Sequence, residues 1–358
     1  MEKLEKNFGI KDAIHKKIVD KKKLTESEAY TVMHEIMSGS ATPAQIGAFL
    51  VSLKTQGADI MEIKSFVTCM KDFANVIKPK VSKPVVDTCG TGGDELKTIN
   101  ISTITALVAA GAGIPVAKHG NRSVTSPCGS ADVFEAAGVN LTAAPETVEK
   151  CIEKVGIGFM FAPVFHPAMK HAIGPRREIG LRTVFNILGP LTNPANASGQ
   201  VLGVFSNDVS SIMAKVLKEL DVKRFYIVHN EHGADELLPV GKNYIVERVG
   251  SELREYTMEA SYFKLEPVKR GELVSCSTKE DSLKAFVEIM KGSGSDAMKK
   301  AVLMNSALAI MAGEGASDVI DAIEVAKNSL ESGDALEKLK LLVQETSGDL
   351  GKYESLIK

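Results

Sequence analysis

The stretch Pro84-Val85-Val86-Asp87-Thr88-Cys89-Gly90-Thr91-Gly92-Gly93-Asp94 decides how this chain is read. Its first six residues form a short strand candidate, and glycines follow at positions 90, 92 and 93. A helix begins near Asn100 or Ser102, with Ile101, Ile104, Leu107 and Val108 among alanines, so it is apolar nearly all round and expected to be buried. A strand, a glycine turn and a helix N-terminus in succession let the backbone approach a ligand and aim N–H groups at anionic oxygens. A plain tight turn would use the same glycines, so the turn alone leaves function open.

Two familiar anion-binding patterns are excluded here. No Gly-Lys-Ser/Thr follows the turn, and a dinucleotide-binding fingerprint needs an acid about 20 residues further on. Between Glu95 and Asp132 there is no acidic residue at all. The interval instead holds Lys97, Lys118, His119 and Arg122, with Asn100, Ser102, Thr103, Asn121, Ser123, Thr125 and Ser126. Such a donor-rich segment suits a ligand carrying several phosphate charges.

Downstream, Pro115-Val116-Ala117 predicts a second strand, followed by the loop 118–129 and a helix over 130–137. Further strands are expected at 200–205, 224–228 and 243–248, alternating with helices at 209–220, 282–290 and 297–312. That alternation argues for an α/β domain with a mostly parallel central sheet. Upstream the texture is helical only. Thr25-x-x-Glu28 is a capping box for a helix that ends at Ser38-Gly39, Thr42-Pro43 opens a second, and apolar residues from Ile60 to Ile77 mark a third. The expected organisation is a small all-helical domain over 1–77 and a larger α/β domain over 78–165 and 193–358. The Pro/Gly/Arg-rich segment 166–192 is read as a return to the helical part.

Composition narrows the classes. With 43 Lys+Arg against 45 Asp+Glu, the net charge of -2 gives no footprint for non-specific nucleic-acid binding. The five cysteines contain no C-x-x-C pair, which argues against a disulfide framework or a zinc site and fits a reducing cytoplasm. Residues 1–23 hold eight lysines and four acids, which is not the pattern of a signal peptide. The 20-residue uncharged stretch Thr98–Ala117 carries too many polar residues for a membrane span.

Three more clusters carry chemistry. Lys118-His119-Gly120-Asn121-Arg122 follows the second strand, where α/β sheets bind ligands. Asp235-Glu236 lies just beyond the strand ending near Asn230 and offers hard oxygen ligands to Mg²⁺. Arg176, Arg177 and Arg182 sit in the interrupting segment, and arginine pairs with planar carboxylates through two parallel hydrogen bonds. His166 and His171 have no metal-type partner at useful spacing.

In their order and spacing these strings resemble the anthranilate phosphoribosyltransferase family. The likeness runs through Asp87–Asp94, Asn100-Ile101-Ser102-Thr103, Lys118–Arg122, Gly129-Ser130-Ala131-Asp132, His166–Lys170, Arg182–Leu191 and Asp235-Glu236. The resemblance implies the fold shared with nucleoside phosphorylases, a homodimer joined through the helical parts, and transfer of phosphoribose from phosphoribosyl pyrophosphate (PRPP) to the amine of anthranilate. It implies that Gly90, Gly93, Asp94, Thr98, Asn100, Ile101, Ser102, Thr103, Lys118, Asn121, Arg122, Ser126 and Ser130 hold PRPP. Gly90, Asn121 and Arg176 would position anthranilate, and Ser102, Asp235 and Glu236 would bind two Mg²⁺ ions. Lys118 and His119 are the catalytic candidates, Lys118 for charge on the leaving group and His119 as a proton acceptor. At Ile173-Gly174-Pro175 the chain departs from the family pattern, and Pro175 is expected to shift the Arg176 backbone. The alternatives are a pyrimidine nucleoside phosphorylase, which the Lys118–Arg122 loop and the acidic pair fit less well, and a non-catalytic nucleic-acid binder, which the charge does not favour.

Overall fold

The computed structural model describes residues 4–92, 96, 98–123 and 127–358. Four helices come first: α1 (Ile10–Ile18), α2 (Glu26–Ser38), α3 (Pro43–Gln56) and α4 (Ile60–Asp72). Their starts follow from side chains that satisfy orphan N–H groups. Glu28 accepts the Thr25 N–H at 2.7 Å, Gln45 accepts the Thr42 N–H at 2.8 Å, and Asp59 accepts the Met61 N–H at 2.7 Å. Gly39, at φ 79°, ends α2 in the left-handed region that favours glycine. The apolar spacing through Ile77 overstates α4, which stops at Asp72. Asn75 and Ile77 instead donate their N–H groups to Phe165 and Pro194, and Ile77 is buried with Ala117 and Ile152. Contacts outside the helix have taken over its last apolar residues.

The chain then runs β1 (Val86–Gly90), α5 (Ile101–Gly111), β2 (Val116–Gly120), α6 (Ser130–Ala136), α7 (Pro145–Lys154) and β3 (Ile157–Phe161). Next come α8 (Ala162–Phe165), α9 (Lys170–Ile179) and α10 (Phe185–Leu191), followed by β4 (Gly199–Gly203), α11 (Asn207–Glu219) and β5 (Arg224–Asn230). β6 (Asn243–Val249) and β7 (Glu252–Met258) precede α12 (Lys279–Met290), α13 (Asp296–Ala312), α14 (Val319–Glu331), α15 (Asp334–Glu345) and α16 (Leu350–Leu356).

One seven-stranded sheet has the order β3-β2-β1-β4-β5-β6-β7. The five strands from β3 to β5 are parallel, whereas β6 and β7 pair antiparallel. The strand expected at 243–248 thus exists but reverses direction. Its connection from β5 carries no crossover helix, and a parallel return would need one. Two strands escaped the sequence reading. β3 follows Gly156 directly, and β7 is joined to β6 through Gly250-Ser251.

From β1 the chain builds outward in both directions, first through β2 and β3 and later through β4 and β5, so the β1/β4 boundary is a topological switch point. Ligands bind α/β sheets beyond the strand C-termini at such a point. The glycine turn at the end of β1 therefore stands where a crevice must open.

Two cores flank the sheet. α5 and α13, buried along nearly their whole lengths, join α14 and α15 in one. The other runs from the N-terminal helices through Ala172, Phe185, Leu188 and Leu191 to Leu202, Phe225 and Ile227 on the sheet. Within the N-terminal bundle, Lys17 is 2% and Glu62 0% exposed, and they form an ion pair at 3.0 Å. Among the described residues no helix is long and apolar enough to cross a membrane.

Candidate active site

Two cavities meet at the switch point. One, of about 420 Å³, is polar and lined by Gly90–Gly92, Thr98–Asn100, Ser102, Thr103, Lys118–Ser123, Cys128–Ser130, Asp235 and Glu236, among others. The other, of about 370 Å³, is more apolar and lies between the strand ends and the 162–192 segment, with Met70, Pro163, Met169, Ile173 and Phe185 in its wall. Gly90, His119, Asn121 and Arg176 line both.

The polar cavity is assembled around the start of α5. Glu236 Oε1 accepts the Ser102 N–H at 3.1 Å, and its Oε2 accepts from Thr98 Oγ1 at 3.4 Å. Asp235 Oδ2 accepts the Gly92 N–H at 3.0 Å. The acidic dipeptide therefore bridges the glycine turn and a helix N-terminus, an electrostatically favourable place for carboxylates. A Cβ at Gly90 would collide with the Asp235 carboxylate, so any side chain at 90 must displace that carboxylate from its place beside the turn. Thr103 lines this cavity, and its Oγ1 is buried without a hydrogen-bond partner.

Lys118 is 2% exposed. Its ammonium turns inward, donating to the Thr88 carbonyl at 2.6 Å and reaching Ser102 Oγ at 3.5 Å. Burial lowers its pKa, while Asp87, Cys89 and Glu236 oppose the shift. Asp87, on the neighbouring strand, is fully buried; burial raises its pKa, and its Oδ1 accepts the His119 N–H at 3.3 Å.

His119 is brought to both cavities, but its chemistry differs from the expectation of a proton acceptor. Burial first, and His166 next to it, push its pKa down to about 3, and His166 itself falls to about 4, mainly through burial. The rings are 5.0 Å apart. At neutral pH both are uncharged. A base this weak is far from the pKa near the operating pH that efficient proton transfer wants.

Asn100, Asn121 and Ser130 all reach the polar cavity. Asn100 Nδ2 donates to the Cys128 carbonyl at 2.9 Å, and Ser130 Oγ donates to the Asn121 carbonyl at 3.4 Å. Arg122 reaches it too, but its guanidinium is held by Glu135 at 2.7 Å and Asp132 at 3.1 Å, so carboxylates on α6 already balance its charge. Ile101 does not line the cavity: its side chain is in the core and its N–H donates to the Ile99 carbonyl. Gly93, Asp94 and Ser126 lie outside the described residues, as do Lys97 and Thr125.

Arg176 projects from α9 into the junction of the cavities, its guanidinium 5.1 Å from the Phe185 ring centroid. Pro175 lies inside that helix, which continues through Arg176 to Ile179. The sequence reading assigned no role to Thr91, Cys128 or Asn186 on these walls, and it grouped Arg182 with the carboxylate-pairing arginines although it lines the polar cavity. Arg182 and Asn186 carried a signal, since both fall in the Arg182–Leu191 string.

Among the described residues no cluster of three or more His, Cys, Asp and Glu side chains could hold a metal by itself. Asp235 and Glu236 with Ser102 Oγ still form a hard-oxygen set suited to Mg²⁺, which keeps waters and bridges to substrate phosphates.

The chain matches the family described as "Glycosyl transferase family, a/b domain" over residues 82–336 and "Glycosyl transferase family, helical bundle domain" over 11–74. Fold and site thus define a glycosyl transferase built from a helical bundle and an α/β domain. Within that class the chain belongs to the anthranilate phosphoribosyltransferase family. It is 44% identical to the anthranilate phosphoribosyltransferase of Acetivibrio thermocellus, across 96% of this chain and 99% of that protein. The crystal structure of the Thermus thermophilus anthranilate phosphoribosyltransferase superposes with a TM-score of 0.87 at 38% identity, covering 94% of this chain and 99% of that one. The Saccharomyces cerevisiae enzyme, solved in complex with PRPP and Mg, superposes with a TM-score of 0.85 at 25% identity, covering 94% and 98%.

Proposed function

We infer that this chain transfers the phosphoribosyl group of PRPP to the amine of anthranilate, releasing pyrophosphate. The observation that carries this reading is the pair of cavities joined at Gly90, Asn121 and Arg176, one polar and rich in anion donors, the other more apolar and edged by an arginine. An aromatic carboxylic acid fits the second, its ring among Met70, Pro163 and Ile173 and its carboxylate against Arg176. A sugar carrying phosphates fits the first. The amine then faces the sugar across Gly90 and Gly120, which line both cavities and have no side chain to intervene.

The C1–oxygen bond to pyrophosphate breaks as the amine nitrogen bonds to C1, and the nitrogen loses a proton. Charge grows on the departing pyrophosphate. The Lys118 ammonium, beneath the cavity floor and 3.5 Å from Ser102 Oγ, stabilises that charge through its field rather than by direct contact. Ser102 Oγ, Asp235 and Glu236 would hold two Mg²⁺ ions, Ser102 with Glu236 for one and Asp235 with Glu236 for the other. Bound Mg²⁺ would supply Lewis-acid neutralisation of phosphoryl oxygens. The aromatic amine is already a neutral nucleophile, so its placement by Asn121 and Arg176 matters more than activation. A neutral His119 fits that economy: it shapes the wall and orients the partner, with little base strength.

The functional unit is proposed to be a homodimer joined through the helical part, formed by residues 1–77 with 166–192. Ile18, Val19 and Val51 are exposed there, which supports an apolar contact. A biosynthetic role toward tryptophan in the cytoplasm accords with the reaction. Loss of anthranilate fluorescence on adding the chain, PRPP and Mg²⁺ tests the activity directly. Phosphorolysis of thymidine or uridine with no consumption of anthranilate would overturn it.

A further inference from the structure

Four cationic side chains line the polar cavity among the described residues: Lys118, Arg122, Arg176 and Arg182. Lys118 points inward at a backbone carbonyl, Arg122 is engaged by α6 carboxylates, and Arg176 stands at the apolar junction. Arg182 differs in origin and place. It comes from the connection between α9 and α10 and lines the polar cavity but not the apolar one. Its guanidinium carbon lies 4.9 Å from the centroid of the Phe205 ring.

Phe205 is tied to the glycine turn. Its N–H donates to Thr91 Oγ1 at 3.3 Å, and the Thr91 N–H donates to the Gly203 carbonyl at 2.9 Å. Gly203 pairs with Gly90 across β1 and β4, and a Cβ on either would collide with Asp235. Arg182 thus shares a cavity with the glycine turn and the acidic pair, and its aromatic partner Phe205 is tied by its backbone to that turn. The other anion-binding wall, with Asn121 and Ser130, follows β2. A donor with a monophosphate at one end and a diphosphate at the other would set its diphosphate beside the carboxylates, since Asp235, Glu236 and Ser102 would hold the Mg²⁺ that neutralises it.

We infer that Arg182, its guanidinium held over the Phe205 ring, binds the diphosphate end of the phosphoribosyl donor and so selects it over ribose phosphates that lack a diphosphate. The inference deepens the proposed function and rests on it. A guanidinium can keep one face on an aromatic ring while its edge presents paired N–H donors to phosphoryl oxygens, and lysine cannot do both.

The test is steady-state kinetics of the unaltered chain, Arg182→Gln, Arg182→Lys and Phe205→Leu, with pyrophosphate and ribose 5-phosphate as competing inhibitors. Arg182→Gln should raise the KM for PRPP and the inhibition constant of pyrophosphate by roughly tenfold or more, the loss expected of a charge-assisted hydrogen bond. The KM for anthranilate and inhibition by ribose 5-phosphate should stay put. Arg182→Lys should recover part of the loss, and Phe205→Leu should shift the same two constants less. A pyrophosphate constant unchanged in Arg182→Gln, or an equal rise for ribose 5-phosphate, overturns the inference. Should Arg182→Gln lose its melting transition, unchanged pyrophosphate constants in both other variants overturn it equally. An unaltered chain that consumes no anthranilate refutes the proposed function instead. Calorimetric titration of pyrophosphate with Mg²⁺ into it and into Arg182→Gln still decides the inference, because equal affinities refute it.

Discussion

The two cavities share a wall but are built from different material. The polar one is made by strand ends and the start of α5, parts that the chain supplies in short consecutive motifs. The apolar one is made by α8, α9 and α10 folding back over the sheet, with Met70 arriving from α4. Charge chemistry thus sits on the rigid sheet, and recognition of the apolar partner sits on a segment packed against the N-terminal helices. Separating them lets each substrate be held by its own physics, with Gly90 and Asn121 as the meeting line.

The comparison breaks if changes on one side leak into the other. The largest effect is expected for Asp235→Asn combined with Glu236→Gln. Turnover should fall on the order of 10³-fold or more, with the melting temperature little changed, because charge stabilisation is lost at the transition state. An active double variant, assayed by anthranilate fluorescence with varied Mg²⁺, removes the metal role. Next comes Gly90→Ala, whose Cβ collides with the Asp235 carboxylate on the shared wall. It should impair use of both substrates, and a change confined to one KM would show the cavities to be independent at that point.

Arg176→Ala sharpens the contrast. It should raise the KM for anthranilate by about 10–100-fold, the worth of a hydrogen bond to a charged group, and leave the KM for PRPP near its original value. Equal rises would place Arg176 with the phosphates. Smaller still in catalysis is the effect of acid. The His119 pKa falls from 6.5 to about 3 in the folded chain, so between those values the unfolded state binds the proton and the folded state does not. Stability contributed by a neutral His119 is complete above pH 6.5 and is lost as pH falls towards 3. His166, at about 4, acts in the same direction. Melting temperature should therefore decline through that window, more steeply than in His119→Asn, while kcat/KM shows no inflection near 6.5 that His119→Asn abolishes. Lys17→Met, far from both cavities, leaves Glu62 buried without its ion partner and should cost about 3–5 kcal/mol of stability in chemical denaturation, with KM values unaltered.

The polar wall was readable because its parts are local. A strand, three glycines, a polar helix start and a run without acids lie close together in the chain, and backbone geometry ties them to one place. The caps at Thr25 and Thr42 are local for the same reason, as is Gly39. Signals failed where distant contacts decided. Ile77 continues an apolar helical spacing, yet Pro194 and Phe165 draw its segment away from α4. The 243–248 strand has a clear pattern, but nothing in it specifies direction, which the neighbouring connection sets. Arg122 and Lys118 read alike as exposed phosphate binders, and only packing turns one onto α6 carboxylates and the other beneath the floor of the cavity.

The order of residues pointed to side-chain types suited to phosphates, magnesium and a planar carboxylate, since motif spacing places donors and acceptors along neighbouring backbone, while the aromatic acid came from the family resemblance alone. It took the folded chain to bring Asp235 and Glu236 across more than a hundred residues to Gly92 and Ser102, and to lay a neutral histidine pair under the shared wall. Those outcomes depend on burial and on the strand order of the sheet, which are properties of the whole packed chain.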